Sequence, residues 1–183
     1  MRLKKDRGAV EYSISIILLM ISVIVILFCF RVRSARVEKM YLEDAQVTAN
    51  LAAAVIDPDI YGETEILTIS DTGEAYERFK RSLKTNLNLD NNFAPQDTTF
   101  MESPVKVLEF HIYNVGESNI NHIIYDEYGA KSVEVLGLSG VTTPDGTEVE
   151  STTVYSKIEF DVKGFLDQRH RMTLENSVDV IKN

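Results

Sequence analysis

The chain contains a single cysteine, Cys29, among 183 residues, so no intramolecular disulfide can form and cysteine usage does not report the redox compartment. Its three histidines, His111, His122 and His170, are too few and too scattered for a ligand cluster of recognised spacing. They are expected at surface or edge-strand positions. Walker and dinucleotide-binding glycine patterns are missing. Leu138-Ser139-Gly140 lacks the second glycine of a nucleophile elbow, since position 141 is valine, which leaves Ser139 as a turn residue. Asp57 with Asp59, and the Asp90-Asn91-Asn92 run, offer oxygen atoms, but no EF-hand register follows either. With no nucleophile, metal box or phosphate loop, the chain is read as non-enzymatic, with no catalytic residue, cofactor or metal.

Charge, proline and glycine are all missing from Tyr12 to Phe30, YSISIILLMISVIVILFCF. Coiled as a helix at 1.5 Å per residue, these residues reach roughly 28 Å, close to the roughly 30 Å hydrocarbon core of a bilayer. Only a helix or a closed barrel satisfies its own backbone hydrogen bonds in lipid, so the segment reads as a transmembrane helix. A cleaved secretory signal is the alternative for an apolar run after the basic start MRLKKDRG, but a signal core is about 7 to 15 residues and ends at a small-residue cleavage site. Here the run is longer and stops at Arg31, Arg33 and Arg36, a stop-transfer boundary. Basic residues flank both ends, so the positive-inside count is a tie.

Of 19 Lys+Arg and 28 Asp+Glu, residues 1–39 hold 8 and 3, so residues 40–183 carry a net charge of −14. That balance repels phosphate backbones and anionic lipid head groups, which argues against a nucleic-acid partner. Long domains cross membranes largely regardless of charge, so the acidic part is compatible with an extracytoplasmic location.

Proline and glycine are also absent from Arg31 to Ile56, a stretch rich in helix formers. The membrane helix is therefore expected to run on to about Ile56, roughly 68 Å in all from Tyr12, and to end before Pro58. Val37, Tyr41, Ala45, Thr48, Ala52 and Val55 recur every three or four residues, an apolar stripe that reads as the packing face, while Arg36, Glu43, Asp44 and Gln46 lie elsewhere. The stripe is read first as covering this protein's own domain, with packing against other subunits as the alternative. Asp57-Pro58-Asp59 reads as a turn.

A second helix is signalled by Asp71 with Glu74 three residues later, followed by Tyr76, Phe79, Leu83 and Leu87 at helical spacing and Lys80, Arg81 and Lys84 on the wet face. Residues 86–104 have no clear period and read as a loop. Beyond Pro104 the period changes to two. Val154, Ser156, Ile158, Phe160 and Val162 alternate with Tyr155, Lys157, Glu159, Asp161 and Lys163, and Leu108, Phe110 and Ile112 form one face of another strand. Further strands are expected at 120–125, 133–138 and 172–180. Short connections carrying Gly116, Gly129, Gly140, Gly146 and Gly164 imply a mostly antiparallel sheet and an α+β domain of about 125 residues. The organisation is a basic leader at 1–8, a transmembrane helix at 9–30, an amphipathic extension at 31–57 and an extracytoplasmic α+β domain at 58–183.

At the N-terminal junction, Arg7-Gly8-Ala9-Val10-Glu11-Tyr12, a basic tail meets glycine, then a carboxylate, then the apolar helix. An unpaired carboxylate costs roughly 2.5–3.5 kcal/mol at mid-bilayer and less near the interface, so Glu11 needs a partner or water. In this layout the chain resembles the type IV pilin-like proteins, most closely the TadE/TadG-like minor pilins, or pseudopilins, of the tight-adherence (Flp) pilus system. The resemblance implies a pilin-like fold, a prepilin peptidase cutting between Gly8 and Ala9, and Glu11 as the assembly carboxylate that neutralises a neighbouring subunit's new N-terminal amine. Glu11 stands third after that cut, where family members usually carry glutamate fifth, and Tyr12 follows it as an aromatic residue does in the family.

The expected function is that of a single-pass membrane protein, N-terminus cytoplasmic, in assembly of a pilus or a related secretion machine. Membrane lipid, other pilin-like subunits or assembly proteins, and the prepilin peptidase are its expected partners. A membrane-anchored sensor or binding domain on a helical dimerising stalk is the alternative, weakened by the shortness of the segment before the membrane.

Overall fold

A computed structural model describes residues 3–164 and 168–180, with side chains from Glu11 onward. The chain divides into two compact units, Met1–Tyr41 and Leu42–Asn183. Helix α1, Leu3–Ala53, supplies the described part of the first and the opening turns of the second. The compact domain therefore begins at Leu42, inside the helix, rather than at 58.

In the first unit, every described side chain from Glu11 to Val37 is exposed, including Leu19, Ile24, Leu27 and Phe30. Glu11–Ala53 is long and apolar enough to cross a membrane. Two of the three serines inside the apolar run turn their hydroxyls back onto the helix, Ser15 donating to the Glu11 carbonyl and Ser22 to the Leu18 carbonyl, each at 2.9 Å.

The second unit is an antiparallel five-stranded sheet with helices on one face. Its strands are β1 (Lys106–Val115), β2 (Ile120–Asp126), β3 (Lys131–Leu136), β4 (Thr153–Lys163) and β5 (Arg169–Asp179), in the order β3-β2-β1-β4-β5. A register shift between Val107 and Glu109 interrupts the β1–β4 ladder. The helix-facing side carries Phe110, Ile112, Ile158, Phe160 and Leu174, all in one core cluster.

Two helical segments close that core. Helix α3 (Thr72–Asn86) begins where Asp71 accepts a hydrogen bond from the Glu74 amide, and buries Ala75, Tyr76, Phe79 and Leu83. Tyr76 stacks on Tyr125 at 4.6 Å and Phe79 lies 4.9 Å from Phe110, each such ring contributing about 1.5–3 kcal/mol through burial. The end of α1 brings two adjacent rows at four-residue spacing, Leu42-Gln46-Asn50 and Ala45-Ala49-Ala53, all buried. Three alanines in one row let the helix backbone approach the sheet closely.

Asp57-Pro58-Asp59 is not a simple turn but the start of a short helix, α2 (Pro58–Thr64). Asp57 caps it, accepting from the Asp59 and Ile60 amides at 3.0 and 3.3 Å, with proline at the first position where no amide is needed. Ser70 also donates to Asp57, and these hydrogen bonds, Ser70 first, hold its carboxyl below the usual range. The irregular 87–104 segment is anchored by buried Leu87, Leu89 and Met101 and by Asp90, which accepts from the Asn92 and Ala94 amides.

Candidate functional site

Gly8 and Ala9 lie within α1, but their side chains fall outside the described residues. Glu11 is exposed at the beginning of the apolar run. The stripe read as the packing face divides. Ala45 enters the core and Ala52 is half-buried, while Val37, Tyr41 and Val55 are 66%, 56% and 49% exposed, and Thr48 is exposed too. The face that meets the sheet is rotated from that stripe and includes Gln46, which hydropathy had placed on the wet side. Gln46 is only 1% exposed because its amide donates to the Ser156 carbonyl at 2.9 Å and to the Ser156 hydroxyl at 3.0 Å. Asn50 acts likewise, donating to the Asn176 carbonyl at 3.0 Å. Backbone carbonyls of β4 and β5 thus take up the amide N–H groups of these buried side chains, while Gln46 Oε1 and Asn50 Oδ1 have no hydrogen-bond partner. The apolar positions not used by the sheet, with Met40 and Leu51, remain open to solvent.

The sheet's other face holds a cluster not anticipated from the sequence. His111 and His122 are neither superficial nor on edge strands: each is 7% exposed, on the interior strands β1 and β2. His170, on edge strand β5, is exposed as expected. Registers Tyr113↔His122 and His111↔Tyr155 place the four residues on one face. His122 Nε2 lies 3.2 Å from His111 Nδ1, the Tyr113 ring stacks on His122 at 4.1 Å, and Tyr155 packs 5.1 Å from His111. Carboxylates flank the pair, Glu109 at 3.5 Å from His111 Nε2 and Glu134 at 3.7 Å from His122 Nδ1.

Burial keeps these imidazoles neutral. It pushes His111 down to about 4, with the neighbouring His122 adding to the effect, and lowers His122 against the opposing pull of Glu134. Tyr113 is pushed up to about 12, first by burial and then by surrounding acids. The loop between β3 and β4 covers part of this face, as Val141 and Val149 pack with Tyr113, Ile120 and Tyr155. Ser177 on β5 donates to Asp145 Oδ2 at 2.9 Å and fastens that loop.

Across the 3.2 Å contact between the two imidazoles one ring donates and the other accepts, the direction depending on the tautomer, and His111 Nδ1 also lies 3.3 Å from the Tyr113 hydroxyl. Among the described residues, no group of three or more His, Cys, Asp or Glu is arranged to hold a metal. Ser139 is exposed, Asp57 accepts from two backbone amides and the Ser70 hydroxyl, and Asp90 accepts from two backbone amides. No family model, curated protein or solved structure matches the chain.

Proposed function

We propose that this chain is a single-pass, non-enzymatic, pilin-like membrane subunit of the TadE/TadG kind, with its N-terminus cytoplasmic and its sheet domain extracytoplasmic. It acts in assembly of a tight-adherence pilus or a related secretion machine. The observation that carries the reading is helix α1. One uninterrupted helix holds a lipid-length apolar run and ends as a core element of an α+β domain, while an apolar face beside that core stays uncovered. Exposed Tyr41, Leu51 and Val55 supply surface for neighbouring helices, and Glu11 supplies the carboxylate for a neighbour's amine.

Two measurements test this. Mass spectrometry of membrane-extracted protein should show a new N-terminus at Ala9, and an intact Met1 start would remove the cleavage step. Cysteines placed at Val37, Tyr41 and Val55 should crosslink into ladders beyond the dimer. Crosslinking that stops at dimers would instead favour the dimerising stalk of an anchored sensor.

A further inference from the structure

The sheet is charge-polarised along its strands. Because all neighbours are antiparallel, the starts of β1, β3 and β5 and the ends of β2 and β4 share one end of the sheet. The terminal residues there are Lys106, Lys131, Arg169, Asp126 and Lys163, so four of the five strands finish in a cation, Arg169 being paired with Glu102 at 3.0 Å and Glu127 lying beside Lys106. At the opposite end they are Val115, Leu136, Asp179, Ile120 and Thr153, with no cation at all. The segments around that second end, 65–67, 116–119 and 137–152, add Glu65, Glu117, Asp145, Glu148 and Glu150 and again no Lys or Arg. The ten residues of β1 separate the two ends by about 30 Å.

Each end also has a cleft. The basic end opens into about 390 Å³ between Tyr76, Phe93 and Tyr128, with Lys80, Lys106 and Glu127 at its walls. Tyr128 is 86% exposed, and the Lys80 ammonium sits 4.4 Å over the Tyr76 ring. The acidic end holds a cleft of about 240 Å³ in which Glu65, Glu117 and Glu150 surround Ile66, Leu67 and Val115.

We propose that the basic, aromatic end of one domain receives the acidic end of a second copy of this chain. The proposal rests on the reading of the protein as an assembling subunit and names the surface and partner for its domain. A domain with net charge −14 over residues 40–183 repels its own kind in most orientations, and end-to-end approach brings its cations against acids. Such a contact uses two different patches, so it does not close as a two-fold pair does and can extend copy by copy. Apolar walls in both clefts give the contact a dry centre, and the charges set its direction.

The test uses the full chain in neutral detergent micelles, followed by sedimentation velocity at low and high salt, with circular dichroism to verify folding. Lys80→Glu with Lys106→Glu makes both clefts acidic, and Glu117→Lys with Glu150→Lys makes both clefts basic. Each double variant alone should self-associate at least about tenfold more weakly than the parent, whose association should weaken with salt. An equimolar mixture of the two should regain association as an alternating chain. Unchanged association of either variant alone, a mixture that stays dissociated, or parent assemblies that stop at dimers would overturn the end-to-end contact. Substitution of Leu51 and Val55 by lysine reads the helix face separately. If only those changes abolish assembly, the end-to-end contact falls and the helix-based reading stands; if only the charge variants do, the reverse holds.

Discussion

The side-chain amide of Gln46, near the end of α1, donates to the main-chain carbonyl of Ser156 in the middle of β4 at 2.9 Å, across 110 residues of sequence. A second bond to the Ser156 hydroxyl at 3.0 Å fixes the amide's orientation, while Gln46 Oε1 has no hydrogen-bond partner. Gln46→Ala should cost about 2–4 kcal/mol, combining a cavity with lost hydrogen bonds to a buried strand. Gln46→Leu retains the volume and removes the unpaired oxygen, so it should cost less than half as much. Thermal unfolding in detergent measures both.

The buried imidazole pair makes stability depend on pH. His111 binds its proton with a value near 4 when folded against about 6.5 when unfolded, so the unfolded state holds more protons between those limits. Its contribution is complete above about pH 6.5 and is lost progressively as pH falls toward 4, on the order of 3 kcal/mol in all. Urea titrations through that range should show the midpoint falling with pH, and His111→Asn should flatten the slope even as it lowers the plateau.

Gly129 closes the β2–β3 turn with φ +76°, its amide bonded to the Asp126 carbonyl at 2.9 Å. An added Cβ would meet only the Tyr76 ring at 3.8 Å, so backbone strain is the whole penalty. Gly129→Ala should cost about 1 kcal/mol, and Gly129→Asn less, since asparagine tolerates the left-handed region. Equilibrium unfolding decides between them.

Leu51 and Val55 are 53% and 49% exposed. Leu51→Lys with Val55→Lys should change unfolding free energy by no more than about 0.5 kcal/mol each, as surface substitutions do. Self-association of the full chain should fall about tenfold if these positions meet another helix. A loss of folding stability in place of association would assign them to the domain's own packing.

The sequence carried the elements better than their relations. Strict alternation from Val154 to Val162 marked β4 because that strand has one side against the helices, and the spacing of Tyr76, Phe79 and Leu83 marked α3 for the same reason. Hydropathy misplaced the buried face of α1, since Gln46 and Asn50 look wet until β4 and β5 offer them carbonyls. Helix α2 escaped notice because seven residues beginning at proline are too short to show a period, and Asp57-Pro58-Asp59 alone reads as a turn. His111 and His122 looked scattered because only hairpin register brings residues eleven apart within hydrogen-bond reach. The charge polarity of the sheet was hidden for a related reason: Lys106, Lys131, Lys163 and Arg169 are dispersed in sequence and meet only when alternate strands reverse.

The strand order also sets a timetable. During synthesis α1 is made first and β4 and β5 last, yet β4 must slot beside β1, and β5 beside β4, before Gln46 and Asn50 find their carbonyls. Leu42, Ala45, Ala49 and Ala53 share their core cluster with Val154, Ile158, Phe160 and Leu174, so the cluster is completed only once β4 and β5 have been made. A chain stopped after β3 would hold the end of α1 without the carbonyls that Gln46 and Asn50 use, leaving two buried-type amides with no acceptor in the sheet.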